Sequence, residues 1–252
     1  RLLAGVWGGD PEPGEGPPAV VVDAGARETL RGVKTFCSGA GGIQRALVIA
    51  RAPGGGPPLS VWIDLTDART VQVDRDWYRA RGLIASASHR VVFDDAPVLA
   101  RLGDAGAISQ QPWFARDALR TAASWAGMAD AAVEAALDEL AQRPGRGDLE
   151  ALAAGRMLTA QATIDAWLRR AAEAMDATDP ALPAVALHAR VAIFDASRSL
   201  LDEAARACGS RPFARGGALD RARRDLELFL LQHRLDPLVA RAGADALGEV
   251  AP

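Results

Sequence analysis

Short apolar runs, separated by glycine and proline turns, fill the chain as far as residue 112. Seven runs combine apolar residues with β-branched or aromatic ones: 3–7, 19–22, 33–38, 46–50, 59–65, 70–73 and 90–93. In the run 59–65 the apolar and polar side chains alternate, which is the period of a strand with one buried face. Several short strands at this spacing predict a small antiparallel β-sandwich or barrel domain over residues 1–112.

After residue 112 the apolar spacing changes to i, i+3, i+4, which is the period of helices. Four stretches follow it: 119–140, 149–171, 179–208 and 217–235. Asp179 and Pro180 predict the start of the third helix, as an N-cap side chain and a proline at the first helical position. Asp236-Pro237 is predicted to interrupt the fourth. Long helices with short connections predict an up-and-down four-helix bundle over residues 113–252, and an α+β fold for the whole chain.

The bulk composition excludes several classes of protein. The chain has 252 residues, 49% of them apolar, and a net charge of −3 with its basic residues dispersed, so no nucleic-acid-binding surface is predicted. No apolar run reaches the roughly 20 residues that span a bilayer. Cys37 and Cys208 are far apart, which favours a reduced, cytoplasmic protein. His89, His188 and His233 fall in different predicted elements without ligand spacing, so no metal site is expected.

Known nucleotide-binding and hydrolase motifs are also absent. The glycines at 39–42 precede a predicted strand instead of a helix, and no GxGxxG occurs, so they do not form a dinucleotide fingerprint. The sequence has no phosphate-binding loop with Gly-Lys-Ser/Thr, and no local signature of a Ser-His-Asp triad.

Four segments, taken in order, carry a resemblance. They are Gly-Val-Lys-Thr-Phe-Cys-Ser at 32–38, Ser-Ala-Ser-His-Arg-Val-Val-Phe-Asp-Asp-Ala-Pro-Val at 86–98, the helix 120–130 with its glycine at 127, and Arg224-Asp225 followed by Phe229 and His233. With a β domain followed by a four-helix bundle, they resemble the middle and C-terminal domains of the acyl-CoA dehydrogenase family. The resemblance implies a flavoprotein oxidoreductase with FAD as cofactor.

The resemblance also implies which β-domain residues bind the cofactor. Phe36 matches the aromatic residue that lies beside the flavin, and Ser38 matches the hydroxyl that contacts the flavin ring near N5. Val6 and Trp7 lie in the segment 3–8, which matches the start of the family's β domain, and are assigned to the cofactor site as well.

Two arginines carry the implied contact between subunits. Arg143 and Arg146 lie where the family has a loop whose arginine reaches the FAD pyrophosphate of a neighbouring subunit, although the loop here reads Arg-Pro-Gly-Arg-Gly. The resemblance thus implies a homodimer or homotetramer that acts on acyl-CoA or a related small molecule.

The catalytic base departs from the family pattern and leaves two reactions open. Family dehydrogenases use a glutamate on the last helix to remove the α-proton of an acyl thioester, and the matching residue here is His233. Other members carry the base on the first bundle helix, where this chain has Asp117, a carboxylate that could serve if burial raised its pKa. These residues lead us to predict α,β-dehydrogenation first.

The alternative is oxygenation, because two-component flavin monooxygenases of this fold lack the glutamate and carry a histidine near His-Asp-Pro. The segment Gln-His-Arg-Leu-Asp-Pro at 232–237 is a near match with two extra residues. The family's N-terminal helical domain has no counterpart in the sequence, and the chain enters an apolar segment directly after Arg1. We therefore expect either a fragment of a longer protein or a truncated relative, which could be non-catalytic.

Overall fold

The computed structural model describes residues 2–25, 27–145 and 147–248. The chain divides into two compact units, which we call unit 1 (Arg1–Gln110) and unit 2 (Gln111–Pro252). None of the helices in the described ranges is long and apolar enough to cross a membrane.

In the part of unit 1 that the structure describes, seven strands form a mixed sheet. They are β1 (Ala4–Trp7), β2 (Val20–Asp23), β3 (Glu28–Cys37), β4 (Arg45–Ala50), β5 (Leu59–Asp64), β6 (Val71–Asp74) and β7 (His89–Arg101). Each predicted run overlaps one of these strands, so the strand predictions are confirmed. The strand order is β1-β4-β5-β7-β3-β2, with β6 beside β7. The pairs of β2 with β3, β3 with β7, β4 with β5, β5 with β7 and β6 with β7 are antiparallel as predicted, and at one edge β1 pairs with β4 in parallel.

Strand β7 joins the two halves of the sheet. Its first part pairs with β3 and β6, and its last part pairs with β5. Large apolar side chains such as Trp7, Leu30, Ile63 and Phe93 are buried in one cluster between these strands. Each buried side chain of this size contributes about 1.5–3 kcal/mol, so this core fixes the register of β3 against β7.

Unit 2 is helical. Its helices are α1 (Trp113–Ala141), α2 (Asp148–Asp176), α3 (Leu182–Cys208), α4 (Arg211–Arg215), α5 (Ala218–Leu230) and α6 (Asp236–Leu247). One core cluster takes apolar residues from α1, α2, α3 and α5, which are the four helices that the periodicity predicts. The short helix α4 and the terminal helix α6 were not predicted.

The predicted start of α3 is wrong by two residues. The helix begins at Leu182, with Pro183 in its first turn, and not at Pro180. Asp179 instead closes a turn just before the helix, where its Oδ1 accepts a hydrogen bond from the Ala181 N–H at 2.8 Å. Aspartate favours such turns as strongly as it favours N-caps, and the sequence pattern is the same for both.

The predicted end of the last bundle helix is also wrong. Helix α5 stops at Leu230, and a non-helical segment follows as far as residue 235. Asp236-Pro237 then begins α6, because a proline is compatible with the first turn of a helix and an aspartate there favours the helix dipole.

Candidate functional site

An irregularity in β3 of unit 1 exposes an aromatic ring. Lys34 pairs with Val91 and Cys37 pairs with His89, so β3 contains one residue more than β7 between these pairs and forms a bulge. Within the bulge, Phe36 has a φ of 52° and its side chain is 63% exposed. A bulky residue in this left-handed region costs about 1–3 kcal/mol, and such strain concentrates at binding and catalytic sites.

Trp77 supports the exposed ring of Phe36. The two ring centroids are 4.9 Å apart and the planes meet at 84°, an edge-to-face contact. The Trp77 Nε1–H donates to Glu15 Oε1 at 2.7 Å. The Glu12 N–H donates to Glu15 Oε2 at 2.8 Å, and this bond and the one from Trp77 both lower the pKa of Glu15, which keeps it an ionised acceptor. Phe36 and Trp77 together form what we call the aromatic ledge of unit 1.

A chain of three serine hydroxyls lies beside the aromatic ledge. The Ser38 Oγ is 2.8 Å from the Ser88 Oγ, which is 2.7 Å from the Ser86 Oγ. Ser88 is buried and Ser38 is exposed. When Ser88 donates to Ser38, the Ser38 proton is free to donate to a ligand.

The remaining predicted cofactor residues of unit 1 occupy different environments. Trp7 is buried, and its Nε1–H donates to the Ser38 carbonyl oxygen at 3.0 Å. Trp7 therefore supports the segment that carries Ser38 instead of presenting its own ring to a ligand. Val6, one residue earlier on β1, is exposed.

In unit 2, aromatic and basic side chains surround a buried tryptophan. Trp125 of α1 is fully buried, with Phe194 of α3 and Phe229 of α5 each 6.3 Å away between ring centroids. His233, in the segment after α5, is 6.5 Å away. The guanidinium carbon of Arg190 lies 5.6 Å from the Trp125 ring centroid. We call these five residues the Trp125 cluster.

The environment of His233 favours the neutral imidazole. Burial lowers the pKa of His233, and the nearby cations Arg190 and Arg120 lower it further, whereas Asp117 acts in the opposite direction. A neutral histidine at physiological pH can accept or donate a proton. His233 therefore retains a capacity for acid–base chemistry.

Asp117 lies in a different environment from the one that its proposed role requires. Its side chain is 58% exposed, and its Oδ1 is 2.9 Å from Arg120 Nη2. The carboxylate therefore faces water and is paired with a cation, and it does not lie in the dry pocket that its proposed role requires.

Two arginines of the loop after α1 were predicted to reach the cofactor of a neighbouring subunit, and the structure describes one of them. Arg143 Nη1 donates to the Ala207 carbonyl at 2.6 Å, and Nη2 donates to the carbonyl of Cys208. These bonds satisfy carbonyl groups at the C-terminus of α3, where a cation also favours the helix dipole. Arg146 lies outside the described residues.

Sequence reasoning missed three residues of these arrangements. Trp77 contacts Phe36 and Ser88 contacts Ser38, and both contacts join segments that are distant in sequence. No local sequence pattern predicts them. Arg190 left a signal, because it occupies a core position of the α3 stripe together with Ala186, Ile193 and Ser197. No group of three or more potential ligands that could hold a metal is found among the described residues.

Comparisons with known proteins identify the family. The family model of the acyl-CoA dehydrogenase C-terminal domain matches residues 105–231, just over half of the chain. No curated protein matches the sequence.

Several solved structures share the fold. TdsC from Paenibacillus sp. A11-2, in complex with FMN and indole, is 21% identical with a TM-score of 0.84, over 100% of this chain and 72% of that one. KijD3, in complex with FMN and a dTDP-sugar, is 20% identical with a TM-score of 0.82, over 98% and 65%. A probable acyl CoA dehydrogenase from Mycobacterium abscessus is 18% identical with a TM-score of 0.81, over 96% and 68%. With the match of the family model, the chain belongs to the acyl-CoA dehydrogenase family.

Proposed function

We propose that the chain is a flavin-dependent oxidoreductase and that unit 1 binds the flavin ring through the aromatic ledge and Ser38. The observation that carries this proposal is Phe36, an exposed aromatic ring that is held outward at a strained backbone angle. An exposed aromatic surface beside a hydroxyl donor fits a flat ring with acceptor atoms along its edge. TdsC and KijD3 both carry FMN in their structures, while the resemblance of the sequence implies FAD.

We further propose oxygenation of a small organic molecule as the reaction. A bound flavin supplies two-electron transfer between substrate and acceptor. We assign proton transfer to His233, because its imidazole is neutral and half-buried, whereas Asp117 is exposed and paired with Arg120. TdsC, which shares this fold, is a dibenzothiophene monooxygenase, and this is consistent with oxygenation.

The second candidate reaction is the dehydrogenation of an acyl thioester. It is favoured by the match to the acyl-CoA dehydrogenase C-terminal domain and by the position of Asp117 in the first turns of α1. In this reaction Asp117 removes the α-proton, which requires a ligand or a further segment of protein to exclude water from its carboxylate. From the resemblance we also retain the proposal of a homodimer or homotetramer.

One experiment separates the two reactions. The full chain is loaded with FMN or FAD, and the oxidised protein is mixed without oxygen with acyl-CoA thioesters of several chain lengths. We expect no bleaching of the flavin absorbance. The chemically reduced protein is then mixed with oxygen and indole as a probe substrate, and we expect a product that has gained the mass of one oxygen atom.

Bleaching of the flavin absorbance by an acyl-CoA would overturn the proposal of oxygenation in favour of dehydrogenation. The His233→Gln variant should bind flavin normally but yield less oxygenated indole and more hydrogen peroxide per flavin oxidised. An unchanged ratio of product to peroxide would remove His233 from the reaction.

Replacing Ser88 with alanine should weaken flavin binding although Ser88 itself is buried. Loss of the 2.8 Å contact frees the Ser38 hydroxyl to rotate, and one net hydrogen bond is worth about 0.5–1.5 kcal/mol, or roughly 2- to 12-fold in Kd. Titration with FMN, followed by flavin fluorescence, measures the change. Ser60→Ala, at another buried serine of unit 1, is the control and should leave the Kd unchanged. Equal affinities for all three proteins would show that the serine chain does not act on flavin.

A further inference from the structure

Arg190 is a buried cation that has no ion-pair partner among the described residues. It is only 4% exposed, and its Nε and Nη2 atoms are buried and find no hydrogen-bond acceptor among the described residues. Burying a charged donor without a partner is unfavourable, so most buried guanidinium groups are paired. The position therefore lacks the acceptor that its environment requires.

The two unpartnered atoms have the geometry of a specific acceptor. Nε and Nη2 lie on the same edge of the planar guanidinium, and their N–H bonds are nearly parallel. A carboxylate accepts both bonds with its two oxygens, which is the strong bidentate arrangement that arginine forms with planar anions. Lysine could not form this arrangement, because its ammonium is a point charge.

The charges around the guanidinium favour a single negative charge. Asp117 is the carboxylate that acts on Arg190, but it is mostly exposed and is already bonded to Arg120. No ion pair joins Arg190 to an acidic residue within the described ranges. With His233 neutral, two cations and one anion remain. One carboxylate would balance them, whereas a doubly charged phosphate would leave an excess of negative charge in a buried place.

We propose that Arg190 anchors a carboxylate-binding subsite in unit 2, which binds an organic acid with its apolar body against the aromatic rings of the Trp125 cluster. Trp125 lies under the guanidinium, and Phe194 and Phe229 extend the aromatic surface. The electrostatic neighbours of the guanidinium include exposed Asp117 and half-buried His233. The subsite goes beyond the proposed flavin chemistry and involves none of the residues of the aromatic ledge.

The test is a binding titration without flavin, so its result is separate from the test of the proposed reaction. Cyclohexanecarboxylate is titrated into the full chain at neutral pH, with binding followed by tryptophan fluorescence. We expect saturable binding, and Arg190→Met should weaken it by about 10- to 100-fold because two charge-assisted hydrogen bonds are lost. Arg190→Lys keeps the charge but not the two-donor edge, so its affinity should lie between those of the wild type and Arg190→Met.

Three controls test the charge of the ligand, the shape of the ligand and the position of the arginine. The neutral analogue cyclohexanecarboxamide and inorganic phosphate should bind more weakly than cyclohexanecarboxylate. Arg198→Met removes an exposed arginine from the same helix and should leave the affinity unchanged. Wild type without saturable binding, equal binding by Arg190→Met, or tighter binding of phosphate or of the amide would each overturn the proposal.

The ligand-free protein supplies an independent measurement. Because methionine has a similar volume and no charge to desolvate, Arg190→Met should raise the melting temperature of the ligand-free chain. A lower melting temperature would show that the guanidinium already has a stabilising partner, and this would overturn the premise of the subsite.

Discussion

Replacing Gly32 with alanine should destabilise unit 1 by about 2–6 kcal/mol, enough to unfold much of the population. Gly32 has a φ of 119°, a conformation that an L-residue avoids. A Cβ atom there would lie 2.6 Å from the Pro18 carbonyl oxygen and 2.9 Å from the Ala19 Cα. These backbone atoms cannot retreat freely, because the Ala19 N–H donates to the Val33 carbonyl oxygen at 3.1 Å.

The measurement is urea denaturation combined with hydrogen exchange of the β3 amides, which assigns the loss to unit 1. Gly14→Ala is the matched control, because Gly14 also has a positive φ, 97°, but its Cβ would meet no atom within 4 Å. Gly14→Ala should therefore show only the cost of the strained dihedral, about 1–2 kcal/mol. Equal losses in the two variants would show that the close approach of Pro18 and Ala19 to Gly32 contributes nothing. A larger loss for Gly32→Ala is expected to reduce flavin binding too, because Phe36 is four residues further along the same strand.

Phe36→Gly should weaken flavin binding by about 10- to 100-fold while changing the stability of unit 1 by less than about 1 kcal/mol. The affinity falls because the exposed ring of the aromatic ledge is lost. Stability changes little because opposing effects nearly cancel. Relief of the strained φ gains about 1–2 kcal/mol, while glycine adds about 0.5–1 kcal/mol of backbone entropy cost and the lost contact with Trp77 about 0.5–1.5 kcal/mol.

Phe36→Ala isolates the strain, since alanine removes the ring but keeps the Cβ atom. It should bind flavin as weakly as Phe36→Gly and be less stable than it by about 1 kcal/mol. Binding is measured by titration with FMN and FAD, and stability by urea denaturation. Leu99→Ala, at a residue of β7 that is 53% exposed, controls for the loss of any exposed apolar side chain. Wild-type affinity in both Phe36 variants would exclude the aromatic ledge as the flavin surface.

The α+β fold was predictable because its signals are local. The periods of strands and helices explain the alternation in 59–65 and the apolar stripes of 119–140 and 149–171. Tertiary packing buries the apolar face that each pattern defines. The errors lie where one residue type serves two local structures. Asp179 closes a turn instead of capping α3. Asp236-Pro237 ends the apolar pattern of the fourth predicted helix, but it also begins the helix α6.

The candidate site was only partly predictable. The family resemblance selects Phe36, Ser38, Asp117 and His233, and the structure then separates them by environment. Phe36 is exposed on a bulge, Ser38 is held by Ser88, His233 is half-buried and Asp117 is exposed. Burial and partners decide the pKa and the orientation of a side chain, and both depend on residues that are distant in sequence.

By itself, then, the sequence determined the two-part α+β architecture and the family, because hydrophobic period and short motifs are encoded within a few residues. Only the tertiary structure decided that Phe36 is exposed at a strained backbone angle and that Nε and Nη2 of Arg190 find no acceptor among the described residues. The first depends on the register of β3 against β7, and the second depends on which acidic side chains the packed helices bring near α3. Register and packing are set by the whole core, so no local pattern could reveal either one.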